Sequence, residues 1–336
     1  MGTQARCAER SSSRVLGVRM RLPLQMGVGC LAVLWLAGCS ADSKSSIAQA
    51  QTQASSADEP TGSYQAQLSQ ARAAHVAALR APDGWLSVTG SGRLKPGQYR
   101  LGADTRNDIV LPAGPAELGR LTLQPDGQAR FQVSGGAAVT LDGQPVQTAL
   151  LRPEQAGQGG SRLQVGERQF YLVRTGALWG WRFRDPQAAK SVQFHGFEYF
   201  PVDQRWRVQA QWHPYDTPEQ LTLLTSIGTP LTLTVPGEAE FVRDGHRYRL
   251  RPVIDPTTRQ LFFLFTDRTS GKESYGGARY LYAGPPRDGH LLLDFNLAEN
   301  PPCAVSRHLV CPIAPPENRL DVPVRAGEKT YVALAH

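Results

Sequence analysis

From Trp85 to its end the chain is built of short strand-forming runs cut by turn signals, and this punctuation leaves little room for anything but β-structure. The runs include QYRLG, NDIVLP, RLTLQPDGQARFQV, AVTLDGQPV, RQFYLVR and GWRFRD, then WRVQAQWHP, QLTLLTS, LTLTV, AEFVRDGHRYRLRP, QLFFLFTD, ARYLYA and GHLLLDFN. In the second half no window of ten or more residues carries apolar side chains at helical spacing. Asp126-Gly127, Asp142-Gly143 and Asp244-Gly245 fall between such runs, where a hairpin needs residues that tolerate positive φ. The 33 glycines and 25 prolines serve the same punctuation. The pattern predicts a mainly β chain, with a β-sandwich over 85–184 and a second mainly-β domain over 185–336. The boundary is set at Arg184-Asp185-Pro186. One helix is predicted, over 63–81: Tyr64, Leu68, Ala71, His75 and Leu79 recur on one face, and Pro82-Asp83-Gly84 stops it. His75 on that face is read as a packed residue.

The first forty residues make a different kind of element. Arg14, Arg19 and Arg21 precede the apolar run MGVGCLAVLWLAGC, which is too short and too abruptly ended for a comfortable spanning helix and fits a secretory signal over 1–38. Met20 would serve as a start as well as Met1. Leu36-Ala37-Gly38-Cys39 resembles the lipobox of bacterial lipoproteins. That resemblance implies that Cys39 carries acyl chains such as palmitate and becomes the mature N-terminus. Ser40 behind it implies an outer-membrane lipoprotein facing the periplasm. Two or three chains at ~0.8 kcal/mol per buried methylene hold such an anchor firmly, so the membrane is the expected partner. Residues 39–62, rich in Ser, Ala and Gln, read as a tether.

Losing the signal removes five of 36 basic and one of 29 acidic side chains, leaving 31 against 28 and a net charge of +3. That balance argues against nucleic acid as a partner. It also leaves Cys303 and Cys311 as the remaining thiols, in an oxidising compartment.

GQYRLGADTRNDIVLP, with the later VTLDGQPV, resembles the opening and a hairpin of the forkhead-associated domain, a phosphothreonine-binding β-sandwich, over roughly 85–178. Ala103 follows Gly102 where phosphate-binding members carry Arg, and PAGPAELGRLTL lacks the Ser and His of their second loop. The resemblance therefore implies the sandwich and argues against phosphopeptide binding.

The densest polar stretch of the second half is TDRTSGKESYGGARY. Ser270-Gly271-Lys272 fails as a phosphate loop, with Thr266 where that motif needs Gly and Glu273 where it needs Ser or Thr. Counting by two, Asp267 shares a strand face with Phe263 and Phe265, and Asp294 shares one with Asn296. Two arrangements follow: Asp267, Lys272, Glu273, Arg279, Asp294 and Asn296 meet in one cleft, or they form a buried ion-pair and hydrogen-bond network. As a cleft, Asp267, Glu273 or Asp294 is the candidate general base, with Lys272 or Arg279 as cationic partner.

These residues belong to a longer set. Asp267, Thr269 to Lys272, Tyr275 and Gly276, then Asp294 to Asn296, Asn300 to Cys303, Cys311-Pro312 and Pro316 to Leu320 are similar to the core motifs of a bacterial and archaeal family catalogued as domain of unknown function 1684. The likeness extends over nearly all of 64–331 and implies no particular activity. From the polar cleft and these motifs together, Thr269, Ser270, Lys272, Tyr275, Arg279, Asn296, Asn300, Asn318 and Arg319 are the candidate ligand contacts. Leu297 and Glu299 stand where members usually carry Arg and Tyr, which implies a different contact with any ligand those two would meet.

Cys303 and Cys311 fit four arrangements: a disulfide, part of a zinc site with His308, a catalytic thiol beside Arg307, His308 or Arg319, or two buried thiols. The compartment favours the disulfide, and no metal site or cofactor is expected. Two functions stay open: an envelope-accessory protein binding a small anionic ligand, with Lys272 and Arg279 as counter-charges, or a periplasmic hydrolase using the 267–319 cleft.

Overall fold

A computed structural model describes residues 61–155 and 158–332. The expected signal peptide 1–38, the lipidation site Cys39 and the tether up to residue 60 lie outside the described residues. Helix α1 runs Thr61–Arg80, two residues earlier than its spacing predicts at the start and one at the end. It buries Tyr64, Leu68 and Leu79. Beyond it Gly84 passes so close that a Cβ there would meet the Ala78 carbonyl oxygen at 2.3 Å, and the Gly84 N–H donates to Ala81 O at 2.8 Å. No helix among the described residues is long and apolar enough to cross a membrane.

Eleven strands follow: β1 (Val88–Leu94), β2 (Gly97–Gly102), β3 (Ile109–Val110), β4 (Gly119–Leu123), β5 (Ala129–Val133), β6 (Thr140–Leu141), β7 (Gln144–Pro145), β8 (Thr148–Leu151), β9 (Leu163–Val165), β10 (Arg168–Thr175) and β11 (Leu178–Arg184). They form a six-stranded sheet in the order β1-β11-β10-β9-β6-β7 and a five-stranded sheet in the order β3-β2-β4-β5-β8. Pairing is antiparallel except between β2 and β3. Leu101, Leu121, Phe131, Phe170, Leu172 and Phe183 fill the space between the sheets, each supplied by the inward half of an alternating strand. Asp142-Gly143 makes the predicted two-residue turn, with φ of 49° and 85°. A six-residue helix absent from the strand pattern, α2 (Pro186–Ser191), follows directly. Its signal was present: Asp185 caps the Gln187 N–H at 3.0 Å, and Pro186 occupies the first turn.

The remaining strands are β12 (Arg207–Leu224), β13 (Pro230–Arg243), β14 (His246–Leu250), β15 (Val253–Ile254), β16 (Leu261–Phe265), β17 (Arg279–Ala283) and β18 (His290–Asp294). A four-stranded sheet runs β14-β13-β12-β18 and a three-stranded sheet β15-β16-β17. β12 and β13 each join two runs read as separate strands. Pro214 and Pro218 are accommodated because the β12–β13 register slips between Pro214 and Glu219, where a missing N–H breaks no ladder bond. All five residues of LFFLF are buried. Leu261, Phe263 and Phe265 enter one core with Trp206, Phe241, Leu293 and Phe295, while Phe262 and Leu264 enter a second with Val235, Tyr280 and Cys311. The central strand predicted from its uninterrupted apolarity is thus covered on both faces.

Candidate functional site

Asp267 does continue the Phe263–Phe265 face, and that face points into the protein. Its side chain is 0% exposed, as is all but 2% of Arg279, and their charged groups meet at 3.1 Å. Arg279 opens β17 opposite Phe265, so the strand pairing itself delivers the cation to the anion. The remaining capacity is filled from the backbone. Asp267 accepts from the Thr269 N–H at 2.7 Å and the Val324 N–H at 3.2 Å, and Arg279 donates to Val324 O at 2.8 Å and to Ala326 O. Burial pulls the Arg279 guanidinium below its ordinary range, and the Asp267 charge opposes that pull. Thr269 and Ser274 share a hydroxyl–hydroxyl bond of 2.7 Å, and Ser270 Oγ accepts the Asp267 N–H at 3.0 Å. The Thr-Ser-Gly-Lys segment is therefore the turn that seals this ion pair. No substrate reaches Asp267 as a base or Arg279 as a counter-charge in this arrangement.

The asparagines act as cross-braces. Asn296 exchanges bonds with the Asp203 backbone at 3.0 and 2.9 Å. Asn300 joins Glu328 to Lys329 O, and Asn318 holds Arg251 N–H, Arg251 O and Leu264 O together at 2.8–2.9 Å. Each amide replaces backbone partners that irregular loops cannot give one another. β18 ends at Asp294, and Phe295–Leu297 turn into a 3₁₀ segment whose Asn296 N–H Asp294 caps, so Asp294 and Asn296 meet at 3.1 Å through that turn and not along a strand.

Lys272 and Glu273 lie elsewhere, exposed. Glu273 forms a bidentate pair with Arg325 that holds its carboxyl below the usual range. Lys272 borders a cleft of about 480 Å³ with His195, Phe197 and Tyr331. Arg319 is exposed, and its backbone pairs with Thr266. Tyr275 points its hydroxyl at Cys303 Sγ, 3.6 Å away. The single 267–319 cleft expected from the sequence is thus divided among a sealed network, a set of braces and an exposed rim. Cys303 and Cys311 are free thiols, so the expected disulfide is not formed in this state. No group of three or more His, Cys, Asp or Glu side chains among the described residues is placed to hold a metal.

Two features were missed. His75 is packed as expected, yet it also meets Glu299 at 2.9 Å and stands 3.6 Å from Glu328. Glu328, with 3% of its side chain exposed, has its carboxyl pushed up to about 7 by burial. Burial pulls the His75 imidazole down, but the Glu299 hydrogen bond and the charges of both carboxylates outweigh it and the net direction is up. Arg72 lies 3.9 Å over the Tyr199 ring beside this group.

The second missed feature is a cleft of about 980 Å³ beneath α1, bordered by Tyr64 and Leu68 of the helix, Arg207 of β12, and Tyr282, Arg287 and His290 around the β17–β18 turn. Asp288-Gly289, with φ of 50° and 74°, forms that turn and sets Arg287 and His290 at the rim. The pair is the same hairpin signal as the three recognised ones. Asp294 is in the wall with its charge engaged: Tyr64 donates at 2.8 and 3.0 Å, Asn296 donates twice, and Arg207 stands 3.9 Å away. Burial and the Asp294 hydrogen bond raise the Tyr64 phenol above its ordinary range, so it stays a donor. Leu292 and Leu297 supply apolar surface. No Ser, Thr, Cys or Lys lines this cleft among the described residues.

Residues 192–329 match the family model described as protein of unknown function (DUF1684). An uncharacterized protein of Haloarcula marismortui, solved by solution NMR, is 34% identical over 44% of this chain and 81% of its own, with a TM-score of 0.35. No curated protein matches the chain.

Proposed function

We propose that this chain, whose residues 192–329 belong to the DUF1684 family, is a lipid-anchored periplasmic binding protein that takes a small anionic ligand in the cleft beneath α1. The observation that carries the proposal is the charge at the cleft. Arg207, Arg287 and His290 border it beside two carboxylates: Asp294, held by Tyr64 and Asn296 with Arg207 3.9 Å away, and the exposed Asp288. The exposed Arg287 guanidinium, with Arg207 in the same lining and leucine and tyrosine surface below, suits a carboxylate or phosphate carrying a short apolar part. Leu297, at the position where the family carries Arg, lies in the lining, so the cationic contact would fall to Arg207 and Arg287. A hydrolase reading has less support. Asp267 is sealed, Glu273 is neutralised by Arg325, and Asp294 is saturated where it stands.

Residues 85–184 are read as a forkhead-associated-like sandwich, supported by its six- and five-stranded sheets. Arg100 is committed to Asp108 and Arg106 to Asp104, which speaks against a phosphopeptide role. The anchor reading predicts that a Cys39→Ala protein loses palmitate labelling and membrane retention. Labelling retained in that variant would remove Cys39 from the proposal.

The ligand is sought by thermal shift on the detergent-solubilised protein with inorganic phosphate, citrate and succinate. A bound anion at a hundred times its Kd stabilises the fold by about 2.7 kcal/mol, a rise of several degrees in Tm. Arg287→Ala is expected to abolish the rise. A full rise in Arg287→Ala would remove the cleft from the proposal.

A further inference from the structure

The two thiols at Cys303 and Cys311 are unlike each other in a way that neither a permanent staple nor a pair of packed apolar side chains requires. Cys311 is buried against Phe262, Leu264 and Tyr280 and is fixed from both sides. Its carbonyl accepts the Ser226 N–H at 2.8 Å, its N–H donates to Ser226 Oγ at 3.3 Å, and Tyr280 holds the next carbonyl, that of Pro312, at 3.0 Å. Cys303 lies in the single turn Pro302–Ala304 at the edge of the same core, partly open to solvent. The two are already adjacent, since the Cys303 N–H donates to Cys311 Sγ at 3.2 Å. Tyr275 Oη stands 3.6 Å from Cys303 Sγ, close enough to donate to a thiolate there.

We propose that Cys303 and Cys311 form a reversible dithiol–disulfide couple, with Cys303 as the attacking thiol and Cys311 as the resolving one, exchanging with a disulfide-bearing partner. The chemistry needs an exposed thiol that ionises and a protected neighbour that ionises only after the first bond forms. The Cys311 and Tyr275 hydrogen bonds outweigh burial and bring the Cys303 thiol down to about 7, while the Cys303 interaction and burial raise Cys311. In the first step the Cys303 thiolate, its proton released to water, attacks one sulfur of the partner disulfide. A Cys303–partner bond forms, the partner bond breaks, and the second partner sulfur leaves as thiolate. Cys311 then gives up its proton and attacks Cys303 Sγ, closing the Cys303–Cys311 bond and expelling the first partner sulfur. Two electrons pass from the dithiol to the partner, and the two protons end on the partner's thiols. This couple is independent of the cleft beneath α1.

The test uses the detergent-solubilised protein in oxidised and reduced glutathione mixtures, with acid quenching, alkylation and mass mapping of the peptides holding the two cysteines. Expected are reversible loss and return of both alkylated thiols together, and native-state alkylation of Cys303 at least tenfold faster than of Cys311. Cys311→Ser is expected to accumulate a glutathione mixed disulfide on Cys303, and Cys303→Ser to leave Cys311 unmodified while folded. The proposal fails if Cys303→Ser is glutathionylated at Cys311 as fast as wild type. It fails equally if the disulfide, once formed, resists excess dithiothreitol under native conditions, or if neither thiol oxidises.

Discussion

Arg279→Met is expected to lower the unfolding free energy by about 3–5 kcal/mol, the usual cost of leaving a buried charge without its partner. The substitution keeps the volume of the side chain's stem and removes every donor that Asp267 Oδ2, Val324 O and Ala326 O use. Burial of the pair is complete, so water cannot take over. The same reasoning makes a sharper claim about the double variant Arg279→Met, Asp267→Leu. With both charges gone the desolvation cost disappears too, and most of the lost stability is expected to return. Urea unfolding of the two variants checks this. A loss below about 1 kcal/mol in Arg279→Met would mean that the ion pair is not the closed network described here.

Raising the pH from about 5 to 8 is expected to weaken the fold by about 2.5 kcal/mol through Glu328. Its carboxyl is held up to about 7 in the folded chain against an ordinary 4.5, and each unit is worth about 1.4 kcal/mol. A folded value above the unfolded one means that the folded chain binds the extra proton. The contribution is complete below about 4.5 and is lost as pH rises through about 7. His75, also raised, has the same sign: its contribution is present below 6.5 and lost as pH rises through its folded value. The neighbouring groups are Arg72, Tyr199, Glu299, Asn300 and Arg279, and Arg279 is already committed to Asp267. The surface carboxylates held low, Asp203, Glu273 and Asp321, act in the opposite sense and at the acid end, where stability falls with falling pH. Glu328→Gln keeps the shape without the ionisation. Unfolding measured at pH 5 and pH 8 is expected to show a flatter dependence in the variant and a gain over wild type at pH 8. An unchanged slope would place the titration elsewhere.

Local chemistry made much of the fold legible. Asp142-Gly143 and Asp244-Gly245 take positive φ at both residues, as hairpins of that length demand, and LFFLF is central because both of its faces are apolar. The helix ran nearly where Tyr64, Leu68 and Leu79 placed it. The site was less legible because its geometry is long-range. Counting by two put Asp267 on the correct face of β16 but could not tell that Arg279, one strand over, would close that face against solvent. His75 meets Glu299 and Glu328 across more than two hundred residues, and nothing local to any of the three announces it. Family motifs misdirected in an instructive way. Asp267, Asn300 and Asn318 are the residues that irregular loops need in order to satisfy their backbone, so a motif of this kind marks loop construction as readily as ligand contact. The departures were better guides: Leu297 borders the large cleft, and Glu299 receives His75. Asp288-Gly289 carries the same local turn signal and builds the cleft rim.

The proposed division, with the polar motif framing the protein and the cleft beneath α1 binding, separates three variants in one experiment. It is tested most directly by measuring, in one thermal-shift series, both the intrinsic Tm and the anion-induced rise for wild type, Lys272→Ala, Asp267→Asn and Arg287→Ala. Asp267→Asn is expected to lower Tm yet keep the anion-induced rise, Lys272→Ala to keep both, and Arg287→Ala to keep Tm and lose the rise. Loss of the rise in Lys272→Ala or Asp267→Asn, with the rise intact in Arg287→Ala, would contradict the proposed division.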